Sequence, residues 1–196
     1  DFILMRFNTG GSLDNSFDGD GKVTTNFGPG FSSAILSQIA LQGDGRIVAG
    51  GSFRGDFAIA RFNTDGSLDN SFDGDGRVTT DFNQASDALE GMAIQSDGKI
   101  VAAGSSHTSV SASALARYNT DGSLDNEFDG DGLLITNFGS PGNIRSVAIQ
   151  SDGKILVAGE SDNFFALIRY ESNGILDNTF GTGGIVTTPN GDGNSV

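Results

Sequence analysis

Three aspartate-rich segments carry the residue types best suited to chemistry, because each holds several carboxylates in a short stretch punctuated by glycine. Asp65, Asp69, Asp73 and Asp75 form the second segment. Ca²⁺ binds about six to eight hard oxygen ligands, and the glycines would let the backbone wrap closely around an ion. The spacing therefore predicts calcium as a cofactor. The corresponding candidate ligands in the other two segments are Asp14, Asp18 and Asp20, and Asp121, Asp125, Asp129 and Asp131.

A fourth, weaker copy of this segment supports a second interpretation. It retains Asp177, but Gly181 and Gly183 stand where Asp73 and Asp75 do. The loop can thus be built without most of its carboxylates. On this interpretation the segments are solvated Asp–Gly turns, and the retained aspartate caps a bend in the backbone. The sequence leaves both interpretations open.

One arginine recurs at the same place ahead of every aspartate-rich segment. These residues are Arg6, Arg61, Arg117 and Arg169. They could form an anion-binding ring or, since each copy repeats them, a structural Arg–Asp pair within each unit, and repetition favours the pair. A phenylalanine also recurs within each segment and predicts a core plug beneath the loop. These residues are Phe17, Phe72, Phe128 and Phe180.

Residues that could catalyse a reaction are scarce, because an active site needs a group of residues that breaks the repeat. The chain has no cysteine and a single histidine, His107, which we expect to be exposed in a serine-rich connection over 105–113. No Ser-His-Asp set and no phosphate-binding glycine motif is present. Asp87 and Glu90 break the repeat, but two acids in a predicted loop are weak grounds for an active site. The sequence therefore predicts a protein that is not an enzyme.

The arginine spacing shows that the elements holding these residues are repeated. Successive arginines lie 55, 56 and 52 residues apart, a period typical of repeat architectures. Each arginine ends a short apolar stretch that predicts a strand, and a second short strand follows each aspartate-rich segment. The predicted strands are 2–7, 57–62, 114–118 and 165–170, followed by 22–27, 77–82, 133–138 and 184–188. The remaining part of each unit predicts a hairpin, at 39–50, 92–104 and 147–159.

The hairpin turns contain Asp44-Gly45, Asp97-Gly98 and Asp152-Gly153. This dipeptide between alternating apolar residues predicts type I′ turns, in which both central residues have positive φ. The hairpins end in alanine and glycine, so we expect neighbouring sheets to approach closely there.

Four short strands in roughly 50 residues, without helical periodicity, predict an all-β fold of the β-propeller type. The array would have four-stranded antiparallel blades, about three and a half in number; a β-solenoid is the alternative. The sequence units are 1–55, 56–111, 112–163 and a partial unit, 164–196. Such an array leaves sheet edges uncovered. We therefore expect the chain to be a fragment whose ends are covered by other copies of itself or by the rest of a longer chain.

The composition limits the classes of partner. The formal net charge is −14, and 21 of the 25 acidic residues are aspartate. An acidic surface repels phosphate backbones and anionic lipids, so we expect neither nucleic-acid binding nor membrane insertion. The absence of cysteine excludes disulfides and thiol chemistry but is compatible with secretion.

The order Ala-Ile-Gln-Ser-Asp-Gly-Lys-Ile-Val-Ala-Ala-Gly at 93–104, followed by Ala-Arg-Tyr-Asn-Thr-Asp-Gly-Ser-Leu-Asp at 116–125, resembles the delta-60 repeat of bacterial proteins. The resemblance covers essentially the whole chain, in register, three to four times. It implies propeller-like blades in large bacterial proteins that are secreted or attached to the cell surface. It implies no catalytic activity.

These observations predict a non-enzymatic extracellular repeat module with a structural or adhesive role, self-associating and stabilised by calcium, in a bacterial surface protein or filament. One alternative is a propeller that binds an extracellular polysaccharide through its variable loops. Another is the non-catalytic part of a propeller hydrolase or lyase.

Overall fold

The computed structural model describes residues 1–29, 34–107, 111–137, 142–161 and 164–189. In these ranges the regular structure is β-strand, arranged as one two-stranded and three four-stranded antiparallel sheets. The predicted blade architecture of about three and a half blades is confirmed. The last residues of the predicted partial unit 164–196, from 190 onward, lie outside the described residues.

The half-blade contains β1 (Phe2–Met5) and β2 (Lys22–Thr25). Blade I contains β3 (Ala34–Leu41), β4 (Ile47–Phe53), β5 (Asp56–Phe62) and β6 (Arg77–Thr80). Blade II contains β7 (Ser86–Ile94), β8 (Ile100–His107), β9 (Ser111–Tyr118) and β10 (Leu133–Thr136). Blade III contains β11 (Gly142–Ile149), β12 (Ile155–Ser161), β13 (Phe164–Tyr170) and β14 (Ile185–Pro189).

Each blade is a meander in which consecutive strands are neighbours. The antiparallel pairing of every sheet fits blades rather than the solenoid alternative. The sequence units are out of phase with the blades, because unit 56–111 begins at β5, the third strand of blade I. In the described part of the chain, no helix is long and apolar enough to span a membrane.

The hairpin turns differ from the predicted type I′. Gly45, Gly98 and Gly153 have positive φ, but the preceding aspartates are not among the positive-φ residues. The Gly45 amide donates to the Gln42 carbonyl at 2.9 Å, which closes the turn. Only the glycine is left-handed, so the pattern fits a longer hairpin loop whose last residue turns the chain back into β4. The type I′ prediction was wrong because the Asp-Gly dipeptide does not fix the loop length.

The first strand of every hairpin contains a β-bulge opposite a glycine. In blade II the register shifts between Leu89 and Gly91, opposite Gly104. A Cβ atom on Gly104 would lie 1.9 Å from the Ala88 carbonyl oxygen, and Gly51 and Gly159 are in the same situation. Gly50 instead makes room for the next blade, since its Cβ would lie 2.3 Å from the Met92 sulfur. The glycines thus admit the bulge within one sheet and close contact between sheets.

The cores lie between successive sheets, because β5, β9 and their equivalents are apolar on both faces. Phe57 and Ile59 pack towards blade II, where they meet Ala114 and Ala116. The other face of β5, with Ala58 and Ala60, packs against the half-blade. A sheet covered on both sides accounts for strands without apolar–polar alternation.

The two ends of the stack expose apolar side chains. At the half-blade end, which we call the head face, the exposed residues are Ile3, Met5 and Phe7, with Ile39 and Leu41 on β3. At the blade III end, which we call the tail face, they are Phe165 and Leu167 on β13.

Three expectations for individual residues need correction. Residues 105–107 lie in β8 and 111–113 in β9, so most of the predicted serine-rich connection is strand. His107 is half-buried at the end of β8 rather than exposed in a loop. Asp87 and Glu90 lie in β7, not in a loop, because the first strand of the hairpin begins earlier than its apolar pattern suggested.

Candidate functional site

The aspartate-rich segments connect the third and fourth strands of each blade. In blade I the loop folds back on its strand, since the Asp69 amide donates to the Arg61 carbonyl at 2.9 Å. The Phe72 amide donates to the Asp69 carbonyl, and the Gly76 amide to the Phe72 carbonyl. These local turns fix where each carboxylate can point.

The predicted Arg–Asp pair is present in every copy. The Nε–Oδ2 distance is 2.8 Å for Arg6–Asp14 and Arg61–Asp69, 2.6 Å for Arg117–Asp125 and 2.7 Å for Arg169–Asp177. In blade I both side chains are almost fully buried, at 4% and 7% exposure.

The other carboxylate oxygen of this aspartate caps the loop. Asp69 Oδ1 accepts from the amide and the hydroxyl of Ser71, at 3.0 and 2.7 Å. Burial opposes ionisation of Asp69, but the Ser71 hydrogen bonds and the charges of Arg61 and Arg46 outweigh it and hold its pKa below the usual value. Asp69 is therefore a charged, fully engaged structural group.

A second cation reaches the same aspartate from the hairpin turn of its own blade, which the sequence analysis did not anticipate. Arg46 lies 3.0 Å from Asp69, Lys99 lies 2.8 Å from Asp125, and Lys154 lies 2.8 Å from Asp177. The sequence signal was a basic residue directly after each Asp-Gly turn.

The arginine also links successive blades. Arg61 Nη1 donates to the Thr120 carbonyl of blade II at 2.6 Å, and the equivalent bonds run from Arg6 to Thr64 and from Arg117 to Ser172. The Arg61 guanidinium also lies 4.7 Å from the centre of the Phe72 ring. One side chain thus ties a strand, its own loop and the next blade together.

The recurring phenylalanines are core plugs, as predicted, in the first three copies. Phe17, Phe72 and Phe128 are at most 1% exposed, whereas Phe180 is partly exposed. Each buried ring touches a glycine in the next blade's loop; a Cβ on Gly122 would lie 3.1 Å from the Phe72 ring. In the described chain no further blade covers Phe180.

The remaining predicted calcium ligands are engaged mainly in local turns. Asp65 and Asp121 accept from the amide and hydroxyl of the serine two residues on, as Asp65 does from Ser67. Asp20, Asp75 and Asp131 each accept from the backbone amide two residues on. Asp75 also pairs with Arg77 at 2.9 Å.

The third set, Asp18, Asp73 and Asp129, occupies a left-handed position, with φ of 49°, 50° and 51°. Gly181, at the matching place of the fourth copy, has φ of 55°. Aspartate and glycine both tolerate this region, which explains their exchange. The amide of the residue binds the next blade: the Asp73 amide donates to the Asp121 carbonyl at 2.6 Å. Burial raises the pKa of Asp73, aided by the charges of Asp75 and Asp121.

The geometry therefore favours turns and ion pairs in these loops. Across the described residues, no three of the predicted carboxylates bring ligand oxygens within 4.8 Å of one another. The group that does so is Asp56, Asp81 and Asp87, which the metal prediction did not include. Calcium in the aspartate-rich loops stays a prediction.

Four segments of the chain match the sequence profile of the family described as "Domain of unknown function (DUF5122) beta-propeller": residues 1–17, 42–72, 95–128 and 150–180. Together they span more than half of the sequence. The chain belongs to this family. Each matched segment ends at one of the recurring phenylalanines, and the three longer ones begin at the hairpin turn. The DUF5122 match thus follows the cation–aspartate–phenylalanine unit and stops before Asp73 and Asp75. No curated protein matches the chain.

Proposed function

We propose that this chain is a non-enzymatic structural module of a bacterial surface or secreted protein, and that copies of it associate head to tail. The single observation carrying the proposal is the pair of apolar end faces. Each exposes strand positions that are buried where two blades meet.

The head face presents one side of the third strand. Ile3 and Met5 are both 54% exposed, while Ala58 and Ala60, at the same positions of β5, are fully buried. Phe7 is 57% exposed, whereas its equivalent Phe62 is buried. This side of the strand is the one that receives the preceding blade.

The tail face presents the opposite side of the same strand. Phe165 is 59% exposed, while Phe57 at its position in blade I is fully buried against blade II. Leu167 corresponds to Ile59 in the same way. The tail face therefore resembles the side of blade I that packs against blade II, and the head face resembles the side of a blade that packs against the blade before it. Two different, complementary faces make a heterologous contact, which adds copies in line.

Among the described residues no blade covers either face, and exposed apolar patches on soluble proteins mark interaction surfaces, which supports association through these faces. The Arg61-type bridges between blades would keep such a stack stiff. A scaffold or adhesive fibre needs both properties, and neither requires a catalytic group. The surface location follows from the delta-60 resemblance and stays a prediction.

Sedimentation of the purified 196-residue chain over a range of concentrations tests this proposal. We expect the average mass to rise with concentration. Met5→Glu or Phe165→Glu should abolish the rise, because a charge would enter an apolar contact. Ile175→Glu is the matched control: Ile175 is 58% exposed but lies in the loop between β13 and β14, outside the strand positions that define the two faces. A wild-type monomer at every concentration would contradict self-association.

A further inference from the structure

The half-blade has an unpaired strand edge among the described residues. β1 pairs with β2 on one side, whereas β5, the equivalent strand of blade I, lies between β4 and β6. In the three complete blades the second strand of the hairpin occupies this edge. An exposed strand edge presents backbone donors and acceptors that an added strand can pair with.

Blade I exposes apolar side chains next to this edge. Ile39 and Leu41 on β3 are 55% and 69% exposed. Met92, which holds the position of Ile39 in blade II, is 3% exposed, because the hairpin of blade I packs over it at Gly50. A hairpin added to the half-blade would cover Ile39 and Leu41 in the same way.

The loop of the half-blade indicates the charge of such a hairpin. Asp14 pairs with Arg6, but in the described part of the chain no hairpin cation reaches it, whereas Asp125 also receives Lys99 at 2.8 Å. The side chain of Asp14 is 24% exposed, against 4% for Asp125. A basic residue directly after the hairpin turn would give Asp14 the second cation that its equivalents have.

A hydrogen bond that recurs between blades supplies one more feature. Ser52 accepts from the Leu89 amide at 3.1 Å, and Ser105 accepts from the Ile144 amide at the same distance. Both serines directly follow the glycine opposite the bulge. Leu36 holds the position of Leu89 in blade I, so a hairpin with this serine would offer its amide the same acceptor.

The occupant of this edge differs from the partner of the head face. Each described hairpin already pairs with the third strand of its own blade, so a folded second copy has no described hairpin to offer. A stacked tail would take the place of the blade before the half-blade. It would cover Ile3 and Met5 and leave Ile39 and Leu41 to the hairpin.

We propose that the open edge of β1 binds a β-hairpin of the same repeat type, supplied by another polypeptide. Its second strand pairs with β1 and completes a four-stranded blade. The basic residue after its Asp-Gly turn reaches Asp14, and its apolar side chains cover Ile39 and Leu41. This binding names a partner for the proposed scaffold but does not require copies to stack.

Calorimetric titration with a peptide of residues 88–106 tests the site, because this segment contains the hairpin of blade II with Lys99 and Ser105. The protein is the Phe165→Glu chain, whose blocked tail keeps stacking out of the measurement. We expect one peptide to bind per chain.

Two peptide variants test the role of charge. Lys99→Gln should bind about tenfold more weakly, because it removes the cation that Asp14 would receive. Ser96→Glu is the matched control: it lowers the net charge of the peptide by the same amount, but at an exposed turn residue. It should bind like the unchanged peptide.

A change in the protein locates the site. Leu41→Glu, added to the Phe165→Glu chain, should abolish binding, because a charge would enter the covered surface. Ile175→Glu in the same chain should leave binding unchanged. Absence of binding, equal affinity for the Lys99→Gln peptide, or binding that Leu41→Glu does not affect would overturn the proposal.

The result is separable from that of the stacking test. A wild type that stacks while the peptide fails to bind would contradict the hairpin site alone. Peptide binding together with a wild type that stays monomeric would support the hairpin site and contradict the head-to-tail stack alone.

Discussion

At the scale of single residues, Asp69 shows how the repeat is held together. One carboxylate joins Arg46 of the hairpin turn to Arg61 of β5 and caps its own loop, so the same residue orders a hairpin turn, a strand and a connection. Its engagement also explains why this aspartate persists as Asp177 in the fourth copy while the later aspartates become glycine. A left-handed backbone position can be filled by either residue, but a carboxylate facing two cations cannot be replaced by glycine.

Replacing this carboxylate should be costly. Asp69→Asn leaves Arg61 buried without its counter-charge, and we expect a loss of about 3–5 kcal/mol in the free energy of unfolding. Denaturant unfolding of the wild type and the variant measures this loss. Asp75→Asn, whose side chain is 56% exposed and pairs only locally, should cost about 1 kcal/mol or less.

The pH dependence of the stability difference between the wild type and Asp69→Asn tests whether the charge of Asp69 is responsible. The pKa of Asp69 is lowered in the folded protein, so the unfolded chain takes up the proton first as pH falls. Its stabilising effect is complete above the ordinary pKa of about 3.9 and disappears as pH falls through the lower, folded-state value. The gap between wild type and Asp69→Asn should be constant near neutrality and shrink below about pH 4. A gap that persists at lower pH would show that packing, not charge, is responsible.

The Arg–Asp pair could be predicted because both partners recur in register in every copy. The second cation could not, because Arg46 and Asp69 meet only when the hairpin turn of a blade folds beside the loop of the same blade. Asp56, Asp81 and Asp87 were missed for a related reason. Asp56 lies 25 residues before Asp81 and the group occurs once, so only the folded blades bring the three together.

At the scale of elements, the β-bulge in the first strand of each hairpin requires a glycine on the opposite strand. The bulge in β7 brings the Ala88 carbonyl against Gly104, and the same contact recurs in blades I and III. From the sequence, the small residues at the ends of the hairpins were predicted to let neighbouring sheets approach closely. Gly50 fits that reason, but Gly104 serves the bulge within its own sheet, which no residue pattern revealed.

Gly104→Ala should therefore destabilise the fold by about 3 kcal/mol or more, because its Cβ would meet backbone that cannot rotate away. Gly43→Ala is the control, since nothing lies within 4 Å of its Cβ position and its φ is not left-handed. We expect Gly43→Ala to leave stability unchanged or slightly raised. Equal melting temperatures for the two variants would contradict the assigned role of the bulge.

At the scale of the whole molecule, the described residues form a row of equivalent junctions with one side of a blade exposed at each end of the row. The number of strands and blades could be predicted from the period and the turn residues. The complementarity of the two ends could not, because it depends on which face of β5 each neighbour covers. That alternation makes the stack directional, so a head can meet a tail but has no reason to meet another head.

The most direct test mixes two chains that are each blocked at one end. Met5→Glu has an intact tail, and Phe165→Glu has an intact head. We expect each to sediment as a monomer alone and the equimolar mixture to form a one-to-one complex that grows no further. Self-association of either variant alone, or a mixture that stays monomeric while the wild type associates, would contradict the head-to-tail stack.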